Sequence, residues 1–397
     1  MVTIKALDEL RPEDLWKEVK PERDEFWYDV REKQRRLVKT LLEGALEEEL
    51  TVLLEAARYR RTETRQGYRN GFYERDLVTQ YGIVTAIRVP RMRSGEAERS
   101  VFSGYQRRQT QVDLVIRDAF LAGVSTRRVG EVLEGLLGTP VSAQTVSRVA
   151  RSLDREVARF HDAPLSDDLC YLFLDGVSLR VKVAAGVKRR MVLCAYGISL
   201  NGERRLLDFR LAQTESAACW EAFLNQLRER GLLGKHLQLI ATDGGAGLHA
   251  ALETVYPYAP RQRCWAHKLR NLANLLKRRQ QEECLAGAKA IYQAETRMAA
   301  IKAYWRWART WRTEAPKVVA CLRKDLQELL NFFACPSEHR RKVRTTNVIE
   351  RCFREVRRRT RPMTCFNNDD SCERIIYAVF SHLNRGWKGT SLLESTH

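Results

Sequence analysis

The 397-residue chain reads as an α/β protein, and three observations predict it. Beyond Cys170, short apolar runs alternate with amphipathic stretches, the signature of strands mixed with helices. From Lys268 to about Phe333 the pattern is helical throughout, too long for a connection and better read as an inserted all-helical subdomain. Before Asp162 helical periodicity dominates, broken by one stretch of period two. A composition of 44% hydrophobic and 30% charged residues is globular rather than disordered.

The first element is a helix within Arg31–Tyr59, where Leu37, Leu41, Leu42, Leu50, Leu53 and Leu54 recur at helical spacing. That face serves either packing or a dimer contact. Ile83, Thr85, Ile87 and Val89 then alternate with Val84, Ala86 and Arg88 after Tyr81-Gly82, which predicts a β-hairpin over Phe72–Val89. A polar loop follows to Gly104. A helix over Val112–Ala122 should break at Gly123. Ser125 can cap a second helix, with Val129, Val132, Leu133 and Leu136 on its apolar face. Ser142 can cap a third, with a core face of Val146, Val149, Leu153, Val157 and Phe160. Gln144, Arg148 and Arg151 share the opposite side, so the pair resembles a helix-turn-helix. Helical hairpins that bind nothing share this pattern.

The polar stretch Asp162–Asp168 marks the main boundary. Tyr171–Val181, Met191–Leu200 and Leu206–Leu211 read as three strands, the last two joined by the Asn201-Gly202 turn. A helix over Ser216–Arg230, a strand over His236–Ala241, a helix over Gly247–Val255 and a short strand at Gln262–Trp265 follow. Three antiparallel strands, then helix, strand, helix, strand is a ribonuclease-H-like order. Two more helices start near Asn347 and Ser371. The expected segments are 1–66, helical; 67–110, hairpin and loop; 111–161, helix-turn-helix; 169–267, the first part of the ribonuclease-H-like domain; 268–342, the helical insertion; and 343–397, its C-terminal helices.

The net charge is +19, from 69 Lys+Arg against 50 Asp+Glu, which suggests a polyanionic partner. Arginines outnumber lysines 53 to 16, which suits bidentate phosphate contacts and also fits a GC-rich coding bias. Residues 251–397 carry a net +15, whereas residues 1–50 carry −4. The densest run, His339–Arg361, holds ten Lys/Arg and two Glu. No apolar run reaches the ~18 residues of a membrane helix. Met1–Lys20 lacks an apolar signal core, so the expected location is the cytoplasm. The ten cysteines form no C-x-x-C pair and no disulfide framework.

Asp175 and Asp243 each follow an apolar strand and each precede glycine, so both could face the crevice at strand ends. Taken singly, each Asp-Gly also reads as a turn. Glu350 sits one turn into a helix, between the apolar face of Ile349, Phe353 and Val356 and the cationic side of Arg354, Arg357 and Arg358. Alone, Asn347-x-x-Glu350 reads as a capping box. Together the three carboxylates suit Mg²⁺, a hard cation that takes oxygen ligands. Two such ions about 4 Å apart activate a water or 3′-hydroxyl in phosphoryl transfer. Cys264-x-x-His267 is only half a zinc site, and no second C-x-x-C or H-x-x-H pair completes the four ligands, although His249 and Cys284 could contribute. Tyr304, Trp307 and Trp311 share a helix face and read as core, or as a stacking surface for a base.

These residues resemble the mutator-type DDE transposases of bacterial and archaeal insertion sequences, over roughly Tyr59–Trp387. Four stretches carry the resemblance: LDG with Asp175, TDGG with Asp243, CWAHKLRN from Cys264 to Asn271, and TTNVIERCFREVRRRTR from Thr345 to Arg361. RNGFYERDLVTQYG from Arg69 and the Ser142–Ala150 helix look like the group's DNA-binding half. The resemblance implies a catalytic triad of Asp175, Asp243 and Glu350 holding two Mg²⁺, with Mn²⁺ as a substitute. It implies Cys264 and His267 as a signature pair supporting the site, and Arg351 after the glutamate. Cys352 departs from the pattern, where the group more often has an apolar residue such as Leu. Expected partners are double-stranded DNA, as terminal inverted repeats and target, and further copies of the chain on paired ends. A copy-out route through a circle and a nucleoid location are implied as well. A regulator without catalysis and a Mg²⁺-dependent nuclease without strand transfer are the alternatives.

Overall fold

The computed structural model describes residues 23–93, 101–102, 106–121, 124, 126–360 and 365–391. The chain divides into two compact units, Met1–Arg151 and Ser152–His397.

In the first unit, helix α1 (Arg23–Leu54) precedes an antiparallel hairpin of β1 (Arg69–Thr79) and β2 (Gly82–Met92). Leu46 of α1 packs with Leu77, Val84, Ile87, Val89 and Phe102, so Ile87 and Val89 of the expected face are buried, with Val84 in place of Ile83 and Thr85. The alternation slips by one at Ala86, which adopts a left-handed φ of 51° opposite a register shift between Arg75 and Leu77. That bulge explains why Val84 and Ile87, three apart, face the same core. Helices α2 (Thr110–Leu121), α3 (Thr126–Leu137) and α4 (Ala143–Arg151) complete the unit. The expected break at Gly123 and cap at Ser125 lie outside the described residues. On α3 the buried stripe is Val129, Leu133 and Leu137, while Val132 and Leu136 are exposed. A 3.6-residue period allows both stripes, and packing against α4 selects the former.

The expected third helix is two. After α4, Ser152 and Leu153 interrupt the run, and α5 (Asp154–Asp162) belongs to the second unit. Its Asp154 pairs with Arg374, and His161 Nδ1 lies 2.6 Å from Asp208 Oδ1. These contacts draw it onto the second unit, so the division falls before the polar stretch Asp162–Asp168.

The second unit is a mixed α/β layer structure. Its five-stranded sheet has the order β5-β4-β3-β6-β7. The strands are β3 (Leu169–Val183), β4 (Gly186–Ser199), β5 (Arg204–Ala212), β6 (Leu239–Thr242) and β7 (Arg261–Arg263). The first three run antiparallel as a meander, and β6 and β7 join parallel to β3. Alternate strand residues face opposite sides. Leu172, Leu174, Leu193 and Leu207 pack with Trp220, Phe223 and Leu248 of α6 (Ala217–Glu229) and α7 (Ala246–Val255). Phe209 faces the other way and meets Phe380 at 5.3 Å between centroids, and Phe380 in turn meets Phe353. Those two belong to α14 (Asp369–Trp387) and α13 (Asn347–Thr360).

Between β7 and α13 the chain is helical, as expected: α8 (Trp265–Asn274), α9 (Arg278–Gln293), α10 (Arg297–Trp311), α11 (Pro316–Leu329) and α12 (Ser337–Val343). Tyr304, Trp307 and Trp311 are buried, which makes that face core. Among the described residues, no helix is long and apolar enough to cross a membrane.

Candidate active site

Asp175 does not end its strand. β3 continues to Val183 against β4, but its parallel pairing with β6 stops at Leu174 and Thr242. Asp175 and Asp243 are therefore the next residues on two neighbouring strands, where the sheet narrows. Hydrogen-bonded strands lie about 4.8 Å apart, so the two carboxylates emerge side by side. Asp175 is 3% exposed. Beyond Asp243 the chain does turn: Gly244 has φ +86°, and the Gly245 N–H donates to Asp243 Oδ1 at 2.9 Å. The left-handed φ of Gly244 disfavours any side chain there, and the Arg263 guanidinium fills the space a Cβ would take.

The Cys264-x-x-His267 turn is a clamp between β6 and α13. Cys264 N–H donates to Thr242 O at 2.7 Å, just before Asp243. Trp265 N–H donates to Arg344 O, and Thr346 N–H donates to Cys264 Sγ at 3.2 Å. Thr346 is fully buried and donates its hydroxyl to Asp175 Oδ2 at 2.9 Å. One short segment thus ties the exit of β6 to the start of α13, and Thr346 carries the link on to Asp175 within β3. The proposed zinc partners stand elsewhere: His249 Nε2 lies 3.1 Å from Glu328, and Cys284 is buried with its carbonyl bonded to Trp307.

Glu350 lies in the first turn of α13, with Ile349, Phe353 and Val356 all buried as expected. Its carboxylate turns to α8 rather than back to the helix start. Arg270 donates to Glu350 Oε1 at 2.6 Å, and His267 Nε2 stands 3.5 Å from the same atom. The capping-box reading gives way to a cross-helix ion pair. Asp175, Ser178, His267, Glu350, Arg354 and Arg357 line one cleft of about 240 Å³. Arg351 and Arg358 face solvent, Arg358 pairing with Glu355 at 2.6 Å.

Burial pushes the Asp175 carboxyl up to about 7, with His267 opposing and Asp243 reinforcing the shift. The hydrogen bond with Cys264 raises His267 to about 9 against the desolvation of the ring. Burial opposes ionisation of the Cys264 thiol, but hydrogen bonds from His267 and Thr346 outweigh it and hold it below the usual range. At neutral pH the imidazolium is therefore a positive charge among the carboxylates, beside the guanidinium of Arg270. Among the described residues, no three His, Cys, Asp or Glu groups converge closely enough to hold a metal ion as they stand. Glu350 is engaged by Arg270 instead.

Sequence reasoning missed Thr346, Arg270 and Glu215. Glu215, just before α6, reaches the same place: its Oε1 would lie 2.6 Å from a Cβ at Gly176. Thr346 and Arg270 lie inside stretches recognised as motifs, which was the signal available for them. Of the expected DNA-contacting residues, Gln144, Arg148 and Arg151 are all exposed on α4 in the other unit.

A profile of the family described as "Transposase, Mutator family" matches residues 13–390. The transposase for insertion sequence element ISRM5 of Rhizobium meliloti (strain 1021) is 34% identical, over 89% of this chain and 88% of its own. The transposase for IS406 of Burkholderia multivorans is 36% identical, over 88% and 90%. The transposase for IS256 in transposon Tn4001 of Staphylococcus aureus is 30% identical, over 89% and 90%.

Proposed function

The chain belongs to the Mutator family of transposases, and from that premise we propose that it cleaves the DNA ends of its own insertion sequence and joins the freed 3′-hydroxyls to target DNA. One observation carries the reading. Asp175 and Asp243 both follow the last parallel pair of two adjacent strands, Leu174 and Thr242, and Glu350 shares the Asp175 cleft with Arg354 and Arg357. Acidic groups ringed by arginines suit a reaction in which a polyanion meets a cation. The strand order, three antiparallel and then two parallel, supports a ribonuclease-H-like domain.

The donor set fits a divalent metal. Its members are carboxylate oxygens, the ligands Mg²⁺ and Mn²⁺ prefer, and one buried carboxylate oxygen, Glu215 Oε1, has no hydrogen-bond partner. Asp175, Asp243 and Glu350 would hold it. Such ions, once bound, supply Lewis-acid stabilisation of the attacking and leaving oxygens. The protein's part is positional. Thr346 orients Asp175, the Cys264–His267 clamp holds the exit of β6 to α13, and Arg354 and Arg357 hold phosphates at the cleft. The exposed Gln144, Arg148 and Arg151 of α4 would read the terminal repeat, as the second helix of a helix-turn-helix does. Paired ends would bring together more than one copy of the chain, on DNA in the cytoplasm.

The test is a labelled duplex carrying the element's end, incubated with protein and Mg²⁺. Nicked and joined products are expected, both lost in Asp243→Asn and Glu350→Gln. Nicking without joining would leave a nuclease, and binding without nicking would leave a DNA-binding regulator.

A further inference from the structure

Glu215 lies in the loop between β5 and α6, and no motif drew attention to it. Its surroundings fix it closely. Ser216 caps α6, its hydroxyl accepting from Cys219 N–H at 3.3 Å. A Cβ on Gly247, at the start of α7, would lie 2.6 Å from the Glu215 carbonyl oxygen. The backbone of Glu215 is therefore pressed between two helix starts.

Its side chain turns inward, over the strand exits. A Cβ on Gly176, next to Asp175, would meet Glu215 Oε1 at 2.6 Å and Oε2 at 3.2 Å. A Cβ on Gly245 would stand 3.8 Å from the same Oε1 and 3.5 Å from Asp243 Oδ1. The carboxylate thus occupies the space that Gly176 leaves open and stands near Asp243. Oε1 is shut off from solvent and has no hydrogen-bond partner, and the nearby indole nitrogen of Trp220 is equally unpaired. Burial raises the affinity of Glu215 for a proton and the charge of Asp243 raises it further, while the Trp220 indole and His267 oppose the rise. An unpaired buried carboxylate oxygen costs more than a paired one, and a second carboxylate beside it adds repulsion. A divalent cation removes both penalties.

We propose that Glu215 is a fourth carboxylate of the active site, holding the divalent cation together with Asp243. This rests on the metal-dependent reading above and deepens it. It also gives Gly176 a reason: any side chain there would push the Glu215 carboxylate out of place.

The competing role is structural, with Glu215 serving only as an acceptor for the Trp220 indole. Glu215→Gln separates the two, because the amide keeps an acceptor oxygen and loses the charge. The measurement is Mn²⁺ affinity of the full chain without DNA, from the Mn²⁺ dependence of its melting temperature. Metal-free Glu215→Gln should melt no lower than wild type, since a buried charge has gone. Its Mn²⁺ affinity should fall about tenfold or more, and Asp243→Asn should do the same. If Glu215→Gln binds Mn²⁺ as wild type does while Asp243→Asn does not, Glu215 is no ligand and the three-carboxylate site stands. If Mn²⁺ leaves the melting of wild type unchanged, the metal site itself falls, and this assignment with it.

Discussion

Thr346 joins the first aspartate of the site to the helix that carries its glutamate. Its hydroxyl donates to Asp175 Oδ2 at 2.9 Å across 171 positions of chain, and its backbone N–H donates to Cys264 Sγ. Four residues later, Glu350 meets Arg270. A single buried residue thereby couples β3, the Cys264–His267 turn and α13. Thr346→Val keeps the shape and the backbone bond but strands Asp175 Oδ2. It should lose about 1–3 kcal/mol of stability, with a larger proportional loss in strand joining than in DNA binding. Thr346→Ser, which restores the hydroxyl, should recover most of both. Thermal unfolding and a joining assay on the same preparations check this, and equal behaviour of Val and Ser would remove the role.

Asp175 makes stability depend on pH in a known direction. Burial pushes its carboxyl from the usual 3.8 up to about 7 in the folded chain. Between those values the folded state keeps a proton that the unfolded state has released. The stability this group contributes is therefore present below pH 4, declines as pH rises through that window, and is gone above 7. Asp175→Asn removes the titration. The variant should match wild type near pH 4 and exceed it by a few kcal/mol at most at pH 8 in the absence of metal. Denaturant melts at the two pH values decide it. A wild type that gains on the variant as pH rises would reverse the sign.

The strands were legible because their chemistry is local. Tyr171–Leu174 and the Asn201-Gly202 turn announce a meander, and the Asp-Gly dipeptides mark where apolar runs give out. Even so, β3 runs eight residues past Asp175, because β4 continues to pair with it after β6 has stopped. On α3 Val129 and Leu133 are buried as expected, but Leu136 and Leu137 both fit a 3.6 period and only tertiary packing buries Leu137 and leaves Val132 and Leu136 exposed. Glu350 was visible through its motif, but its partner Arg270 lies 80 positions away. Glu215 had no signature of its own, and Thr346 only that of the motif around it, for its partner Asp175 lies 171 positions away. Periodicity reports which face a residue occupies; it carries nothing about which distant strand exit that face will meet.

The Cys264–His267 pair should titrate as a unit. Hydrogen bonding to Cys264 holds His267 at about 9, so its charge is kept through neutral pH. Cys264→Ala removes that partner and leaves the ring's desolvation unopposed by it. The His267 midpoint should fall by at least about one unit, toward or below the ordinary 6.5. Imidazole resonances followed by NMR across pH 5–10 report it directly. A His267 that still titrates near 9 in Cys264→Ala would mean that Asp175 and Glu350 hold the proton without the sulfur.

The arginines of the two units should differ in what they contribute to DNA binding. Arg354 and Arg357 line the cleft beside Glu350, where the substrate offers phosphates whatever its sequence. Arg148 is exposed on α4, a short helix whose opposite face, Val146 and Val149, is buried. Each phosphate contact adds about −0.9 to the slope of log affinity against log salt. Arg354→Ala with Arg357→Ala should therefore flatten that slope by nearly two and weaken repeat and random DNA alike. Arg148→Ala should weaken the terminal repeat by about 1–3 kcal/mol more than random DNA. Titrations of both duplexes at several salt concentrations separate the two. An Arg148 variant that loses affinity equally on both sequences would place it among the phosphate contacts. Sequence reading would then have to lie elsewhere in the first unit, and the hairpin of β1 and β2 would be the next place to look, because Arg88 sits 4.9 Å over the exposed ring of Phe72.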